Sequence, residues 1–408
     1  MSLKFLVLYH NNYTGGIVAS GVLRLPLLAR LDLSVNEFTG ELPPEVANMK
    51  SIKYLMLAEN SFSGGIPPEY GRLAELQALD LSNNTLSGGI PACIRNLTSF
   101  LWLILAGNKL SGDIPPEIGN CTSLLWLNLV DNRLTGNIPT KMVEIGRNPG
   151  QTFAKNRNDT SMLIGSNECH AMRRWIPASY PPFSFVNSVM TGENCRNIWN
   201  HILKGYEIVP MCTNSLSVWS LTRYMQLSSN MVSGEIPSRI GTMWNLGLLF
   251  LDGNHFTGRL PPELGLLPLV DLNVSRNNIS GPTPSEIGEI LCLERMDLSF
   301  NNLSDELPTS MFKLTQLVMF NVSYNSLLSG NISTTGQFGT FDEQSFLGDP
   351  LISLEQGGPA GKQQPGEEAP YVTAVERSSV PIVILVSYFF FLVVGFIVGT
   401  IRGGRKMC

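Results

Sequence analysis

The chain has 408 residues and a formal net charge of −5, with 43% hydrophobic and 15% charged residues. That hydrophobic content is enough for a packed core and excludes wholesale disorder. The few charges exclude general binding to nucleic acids, because neutralising phosphates requires clustered lysine and arginine. The length predicts either two or three globular domains or one long repeat array.

A leucine-rich segment recurs at steps of 24 residues from Asn36 to Asn132, and again at steps of 23 or 24 residues from Asn230 to Asn325. In each copy, leucines such as Leu31 and Leu33 precede an asparagine. The pattern predicts six copies within 1–139 and five within 222–340. The asparagines that mark the eleven copies are Asn11, Asn36, Asn60, Asn84, Asn108, Asn132, Asn230, Asn254, Asn277, Asn301 and Asn325.

The spacing within each copy predicts a short parallel strand whose leucines point into a common core. The asparagine side chain can bond to backbone groups that the following turn would otherwise leave buried and unpaired. No copy can bury its own apolar face, so each depends on its neighbours, as in a solenoid.

The segment LSGDIPPEI at 110–118 resembles the ending of the plant extracellular type of leucine-rich repeat. The resemblance covers roughly 1–340 apart from one gap. It implies an α/β fold, a leucine-rich-repeat solenoid shaped as a twisted horseshoe, with parallel strands lining its concave face.

The repeat is absent from 140–221, which is too long a stretch for a bare loop. Its aromatic residues and three cysteines predict a folded island domain, with room for one disulfide of open pairing. Within it, CRNIWNHILKGY at 195–206 places apolar residues at helical spacing. The three cysteines are Cys169, Cys195 and Cys212.

That segment, together with ECHAMRRWIPASYPPFSFV before it, resembles one subgroup of plant leucine-rich-repeat receptor-like serine/threonine kinases. These belong to the island-containing, brassinosteroid-receptor-like group. The resemblance implies that the island and the neighbouring repeats form a ligand site, and that a co-receptor kinase docks near the last repeats. The alternative is that the aromatic residues of the island form only its own core.

The C-terminal part is predicted to comprise a cap and stalk at 341–379, a transmembrane helix at 380–401 and a cytoplasmic tail at 402–408. The predicted helix carries no charge and would span about 33 Å, enough for a bilayer core of about 30 Å. Arg402 and Arg405 follow it directly. The positive-inside rule therefore predicts a single-pass plasma-membrane protein with extracellular repeats.

The sequence contains no glycine-rich loop, HRD or DFG motif of a protein kinase, so the chain is predicted not to be an enzyme. Members of the resembled group carry a signal peptide, and we therefore expect a chain truncated at both ends. Without a signal peptide, the C-terminal span could insert as a tail anchor that leaves the repeats in the cytosol.

Asn-x-Ser/Thr sequons predict a glycoprotein of the secretory pathway. The alternative is chance, because asparagine and serine are frequent in this repeat. The ten sequons are at Asn12, Asn83, Asn96, Asn120, Asn158, Asn273, Asn278, Asn302, Asn321 and Asn331.

Catalytic and metal-binding patterns are missing from the sequence. The four histidines are scattered, with no metal-spaced cysteine cluster, so we expect no metal site and no cofactor. Cys93, Cys121 and Cys292 lie within repeat frames and are predicted to be buried thiols rather than disulfide partners.

The predicted ligand site lies on the concave face, where residues six, four and two positions before each asparagine point. These residues turn apolar beside the gap, and an exposed apolar strand face is costly unless something covers it. Either the island covers it, or a ligand lies between the two. The predicted ligand contacts are Trp102, Ile104, Trp126, Val130, Tyr224 and Phe250.

Two functions follow from this reading. The first is a cell-surface receptor that binds a small hydrophobic or amphipathic ligand, or an extended peptide, and signals through a partner kinase. The second is a fragment of a receptor-like serine/threonine kinase whose catalytic domain lies outside this chain. A weaker third is a repeat module that inhibits cell-wall hydrolases, against which the island and the membrane span both count.

Overall fold

The computed structural model describes residues 3–159, 192–206, 223–333 and 336–355. The chain divides into two units, Met1–Gly357 and Gly358–Cys408. All described residues belong to the first unit. The predicted transmembrane helix and most of the predicted stalk lie outside the described residues.

Eleven short strands form one parallel sheet, and their order in the sheet is their order in the sequence. Each strand carries the leucine-rich segment of one repeat, which confirms the predicted solenoid of parallel strands. The strands are Phe5–Val7, Arg30–Asp32, Tyr54–Met56, Ala78–Asp80, Trp102–Ile104, Trp126–Asn128, Arg223–Gln226, Leu246–Phe250, Asp271–Asn273, Arg295–Asp297 and Met319–Asn321.

The sheet continues without interruption across the gap in the repeat. Trp126 is paired with Tyr224, and Asn128 with Gln226, in parallel register. Residues almost a hundred positions apart in sequence are therefore direct neighbours. The chain between them is an insertion into a continuous solenoid.

The hydrophobic core runs as one cluster through every repeat. The leucines of each strand, such as Leu55 and Leu79, are almost fully buried. Side chains in successive repeats stack on one another, as Phe38 does on Phe62 with ring centroids 6.2 Å apart. Because each copy is buried by the next, the repeats stabilise one another along the array.

The repeat asparagines form a hydrogen-bonded ladder beside this core, as the sequence predicted. Asn84 Nδ2 donates to the carbonyl oxygens of Leu57, Leu81 and Ser82, each at 3.1 Å. Its Oδ1 accepts a bond from the Phe62 amide at 2.9 Å. One side chain thus satisfies buried backbone groups of two neighbouring repeats, which explains why the position is asparagine in all eleven copies.

Short strands and 3-10 helices complete the turns of the solenoid. The further strands pair in parallel in smaller sheets and are Thr14–Gly15, Glu37–Glu41, Ser61–Ser63, Ser87–Gly88, Lys109–Asp113, Arg133–Thr135, Ser233–Glu235, His255–Thr257, Ser280–Pro282, Asn302–Glu306, Leu327–Ser333 and Leu351–Glu355. The 3-10 helices are Val18–Ser20, Val22–Arg24, Pro44–Asn48, Pro68–Arg72, Ala92–Asn96, Pro116–Asn120, Thr140–Glu144, Ser238–Thr242, Pro262–Leu266, Ser285–Glu289, Thr309–Lys313, Gly336–Thr340 and Glu343–Phe346.

The sixth repeat extends beyond the predicted boundary at residue 139. The 3-10 helix Thr140–Glu144 follows Pro139, just as Pro116–Asn120 follows Pro115 in the repeat before. Proline fixes φ near the value that this turn needs. The turn therefore forms although the residues after the proline depart from the repeat pattern. The described part of the insertion then contains two helices, α1 (Gly150–Asn158) and α2 (Gly192–Leu203).

The C-terminal cap closes the core with aromatic side chains. Phe338 and Phe346 are buried, and their rings lie 5.0 and 5.8 Å from that of Phe320 in the last repeat. The cap also adds the strand Leu351–Glu355 to a four-stranded parallel sheet.

Candidate functional site

The insertion helices pack on the face of the eleven-stranded sheet that the sequence predicted as concave, hereafter the sheet face. Phe153 of α1 and Trp199, Ile202 and Leu203 of α2 form one buried cluster with residues of four strands and their edges. The partners on the repeats are Tyr54, Met56, Ala78, Leu101, Trp102, Ile104 and Leu125, with Trp126 at the margin.

Two predicted ligand contacts lie inside this cluster. Trp102 is 1% exposed and Ile104 is 8% exposed. In this structure both side chains belong to the interface between repeats and insertion. The sequence allowed either the insertion or a ligand to cover this apolar surface, and in the structure the insertion covers it. A ligand contact by these two residues stays a prediction.

A row of polar contacts holds α1 along the edge of the sheet face. Ser123 Oγ lies 3.0 Å from Thr152 Oγ1. Two repeats earlier, Gln77 and Asn156 exchange amide hydrogen bonds. A further repeat back, Lys53 forms an ion pair with Asp159. The helix therefore runs against the direction of the repeats, with its polar side chains paired to theirs.

The two helices also contact each other closely. Asn156 Nδ2 donates to the carbonyl oxygen of Leu203 at 2.7 Å. Gly205, just after α2, has φ of 77°, and a Cβ at this position would lie 2.5 Å from the Phe153 ring. Glycine is required there for both reasons. The insertion helices thus form one unit with the sheet face beneath them.

A second apolar cluster begins where the repeats resume. Tyr224, Leu248 and Phe250 are buried, and Trp126 packs against them. The Trp126 and Tyr224 rings are 5.5 Å apart, and the Tyr224 and Phe250 rings 5.8 Å. Trp126 borders both clusters and is itself only half-buried. Val130, the remaining predicted ligand contact, is half-buried and lies in the same repeat as Trp126.

Beyond Phe250 the sheet face becomes polar and acidic. Asp271 Oδ2 lies 3.3 Å from Arg295 Nε. Burial raises the pKa of Asp271 to about 7, and the nearby Arg295 opposes that rise. Burial also raises the pKa of Asp252, whose carboxylate accepts a bond from Ser228. The half-buried Trp126 lies between two buried apolar clusters, and the polar strands begin beyond the second of them.

Three comparisons with known proteins bear on this arrangement. The leucine-rich-repeat family model matches residues 27–49, 75–97, 99–121, 268–290 and 292–314. A probable leucine-rich-repeat receptor-like serine/threonine-protein kinase from Arabidopsis thaliana is 57% identical over 341 residues, 83% of this chain. The repeats of this chain are therefore similar to those of a plant leucine-rich-repeat receptor-like kinase. The chain spans 31% of the length of that relative.

Two solved structures share the fold of these repeats. One is a TDR receptor, with a TM-score of 0.58 and 25% identity, matched over 86% of this chain and 52% of that one. The other is a plant ice-binding protein, with a TM-score of 0.54 and 23% identity, matched over 80% and 81% of the two chains. The second likeness concerns the fold alone.

The cysteines of the repeats differ from the prediction at one position. Cys93 and Cys121 are free, and burial raises the pKa of both thiols. Cys292 is disulfide-bonded, so the prediction of a buried thiol there was wrong. The motif gave no warning, because Cys292 occupies a frame position where other repeats carry Ser123 or Gln316.

The described ranges of the chain bear on the predictions about metal binding and the membrane. No group of three or more histidine, cysteine or acidic side chains there could hold a metal ion. Across the same ranges no helix has the length and apolar character to cross a bilayer, and the predicted span at 380–401 falls outside them.

The sequons differ in how far they are exposed. Three asparagines are half-buried, Asn120, Asn273 and Asn321, and the last two lie in strands of the sheet face. The exposed ones are Asn12, Asn83, Asn96, Asn158, Asn278, Asn302 and Asn331. Their glycosylation stays a prediction.

Proposed function

We propose that this chain is the ligand-binding part of a plant cell-surface receptor. Its site would be the sheet face around Trp126, between the insertion helices and the first strands after the insertion. A small hydrophobic ligand or an extended peptide would contact Trp126 and Val130 and reach the polar strands beyond. The relative that is 57% identical, named as a receptor-like kinase, supports a receptor role.

One observation carries the proposal, namely the incomplete cover of Trp126. Trp102 is buried in the cluster that the two insertion helices form with the sheet, whereas Trp126 in the next strand stays half-buried. Ligand sites combine apolar walls with a few well-placed polar groups. Trp126 has apolar neighbours on both sides along the sheet, and Asn128 of the same strand is also half-buried.

The proposal also includes the role of the insertion, the membrane topology and the signalling partner. The insertion would act as the island domain of the brassinosteroid-receptor-like group. The repeats would be extracellular and glycosylated, the segment 380–401 would span the plasma membrane once, and a co-receptor kinase would transmit the signal. The alternative is a piece of a receptor-like serine/threonine kinase, whose kinase domain would phosphorylate its own targets.

Replacing Trp126 by alanine tests the site. The matched control is Trp244→Ala, because Trp244 is also exposed to solvent, at 52%, but lies outside both apolar clusters. We would measure binding of a brassinosteroid and of a library of extended peptides to the full chain by calorimetry. A ligand that binds the parent and the Trp244 variant but not the Trp126 variant supports the site. Equal binding by both variants would refute it.

The alternative is tested separately from ligand binding. Sequencing the transcript beyond the codon for Cys408 would expose an open reading frame with a glycine-rich loop and HRD motif if the chain is part of a kinase. For the topology, secretion behind a signal peptide followed by glycosidase treatment should lower the apparent mass. Absence of a mass change would remove the extracellular assignment.

A further inference from the structure

The spacing of the asparagine ladder continues into the C-terminal cap, but the residue found there is an aspartate. All eleven copies of the repeat carry asparagine at the ladder position. Asp349 lies 24 residues after Asn325, the last of them. It is 6% exposed and lies between the 3-10 helix Glu343–Phe346 and the strand Leu351–Glu355. An ionisable side chain thus occupies the place of a twelfth ladder asparagine.

Three backbone amides of the last repeat donate hydrogen bonds to the cap. Two of them bond to backbone carbonyl oxygens. The third, that of Asn325, bonds to the side chain of Asp349, at Oδ1, over 2.5 Å. This carboxyl group therefore helps to join the cap to the solenoid. The two backbone bonds run from Val322 to Ser345 at 2.9 Å and from Tyr324 to Leu347 at 2.7 Å.

The second carboxyl oxygen of Asp349 is buried and unsatisfied. Asp349 Oδ2 accepts no hydrogen bond within the part of the chain that the structure describes. A buried negative charge is costly unless a donor or a counter-charge compensates it. The sequence from 314 to 361 contains no lysine or arginine that could do so. The closed cap therefore favours the neutral, protonated form of this carboxyl group.

A proton on Asp349 would also supply a donor that the ladder lacks at this end. The carbonyl oxygen of Leu298 receives two ladder amides, from Asn301 and Asn325, each at 3.1 Å. One repeat later, the carbonyl oxygen of Val322 receives only that of Asn325 among the described residues. An ionised carboxylate cannot donate a hydrogen bond, whereas a protonated carboxyl group has one O–H donor. Only the protonated form can act as a twelfth ladder residue.

We propose that Asp349 makes the C-terminal cap sensitive to pH, so that the cap is held to the last repeat while this carboxyl group is protonated and loosens when it ionises. The protonated side chain would donate to the Val322 carbonyl oxygen, as ladder amides do in earlier repeats. Loosening would expose Phe320, against which the cap residues Phe338 and Phe346 pack. This contact is separate from the proposed ligand site and does not depend on it.

Burial sets the direction of the pH effect. It raises the pKa of Asp349 to about 6 from an ordinary value of 3.8, and the bond from the Asn325 amide opposes the rise. The folded cap therefore keeps a proton that the unfolded chain has lost between these values. Its contribution to stability is present below about pH 4 and is lost as the pH rises through 6. None of the other titratable residues on the adjoining turn, 3-10 helix and strand can carry a positive charge, and they are Tyr324, Asp342, Glu343 and Glu355.

Hydrogen exchange of the full chain in detergent micelles, compared at pH 5 and pH 7.5, tests the proposal. After correction for the intrinsic pH dependence of exchange, peptides covering 338–354 should exchange about tenfold faster at pH 7.5. Asp349→Asn should exchange slowly at both pH values, because the asparagine amide is a donor at either. The matched control is Asp342→Asn, an exposed aspartate of the same cap, which should retain the tenfold difference.

The asparagine variant also separates a titrating contact from a cap that merely requires aspartate. At pH 7.5 it should unfold at the same or a higher temperature than the parent, because it gains a donor without a buried charge. Equal exchange of the cap at the two pH values in the parent would overturn the proposal. So would a tenfold difference that survives in Asp349→Asn, fast exchange of the cap in that variant at both pH values, or loss of the difference in Asp342→Asn.

Discussion

Gln77, at the edge of a strand in the first half of the sheet, and Asn156, in α1, form a reciprocal amide pair. Gln77 Nε2 donates to Asn156 Oδ1 at 2.8 Å, and Asn156 Nδ2 donates to Gln77 Oε1 at 2.9 Å. Both side chains are almost fully buried. The pair joins residues 79 positions apart in sequence and fixes the insertion to the solenoid.

Breaking this pair should destabilise the chain measurably. Asn156→Ala leaves the Gln77 Nε2 group buried without this acceptor, while Gln77 Oε1 keeps the bond that the Tyr54 hydroxyl donates, and the loss costs about 1–3 kcal/mol. Chemical unfolding of Gln77→Ala, Asn156→Ala and the double variant measures the coupling. We expect the double variant to lose less stability than the two single losses added together. Strict additivity would mean that the two amides do not interact in solution.

Two neighbouring asparagines in one turn should contribute very different amounts to stability. Asn277 belongs to the ladder, with Nδ2 bound to three carbonyl oxygens at 3.0 Å and Oδ1 bound to the Phe256 amide. Asn278 beside it is exposed. Asn277→Ala should therefore lower the free energy of unfolding by roughly 2–4 kcal/mol, and Asn278→Ala by less than about 1 kcal/mol. Similar losses in the two thermal melts would contradict the assigned role of the ladder.

Asp271 should make the chain less stable as the pH rises. Burial raises its pKa to about 7 from an ordinary value of 3.8, against the opposing effect of Arg295. The folded state therefore binds more protons than the unfolded state between these values. The stabilising contribution of Asp271 is present below about pH 4 and is lost as the pH rises through 7, with a total of roughly 4 kcal/mol for a shift from 3.8 to about 7. Asp271→Asn should flatten this part of the stability profile measured between pH 4 and 8. A profile equally steep in the variant would locate the titration elsewhere.

The disulfide of Cys292 has a partner that mass spectrometry can identify. Cys93 and Cys121 are free, which leaves Cys169, Cys195, Cys212 and Cys408 as candidates. Proteolysis without reductant should yield a peptide containing Cys292 cross-linked to one of these four. Recovery of Cys292 only as an alkylated thiol would contradict the bond.

The repeat could be predicted from the sequence because its signal is local and periodic. Leucine spacing and the asparagine column were sufficient to place strands such as Trp102–Ile104 and Asp271–Asn273. The helical spacing within 195–206 likewise predicted the C-terminal part of α2, which ends at Leu203.

The contacts of α1 could not be predicted in the same way. Its sequence GQTFAKNRN has no apolar periodicity, and it is held by Thr152 and Asn156 through polar partners far away in sequence. For the same reason the sequence could not tell that Trp102 would be covered while Trp126 stays half-exposed. That difference depends on where the insertion packs, which no local pattern encodes.

Hydrogen exchange of the full chain, followed by mass spectrometry, tests most directly whether the insertion is folded onto the sheet face beside Trp126. Peptides covering α1 and residues 197–203 of α2 should exchange slowly, like those of the strand Trp102–Ile104, and should lose protection in Asn156→Ala. The strands after the insertion should keep theirs in the same variant. Exchange of α1 and α2 in the parent chain as fast as in an unfolded peptide would contradict the docked insertion and the site that it borders.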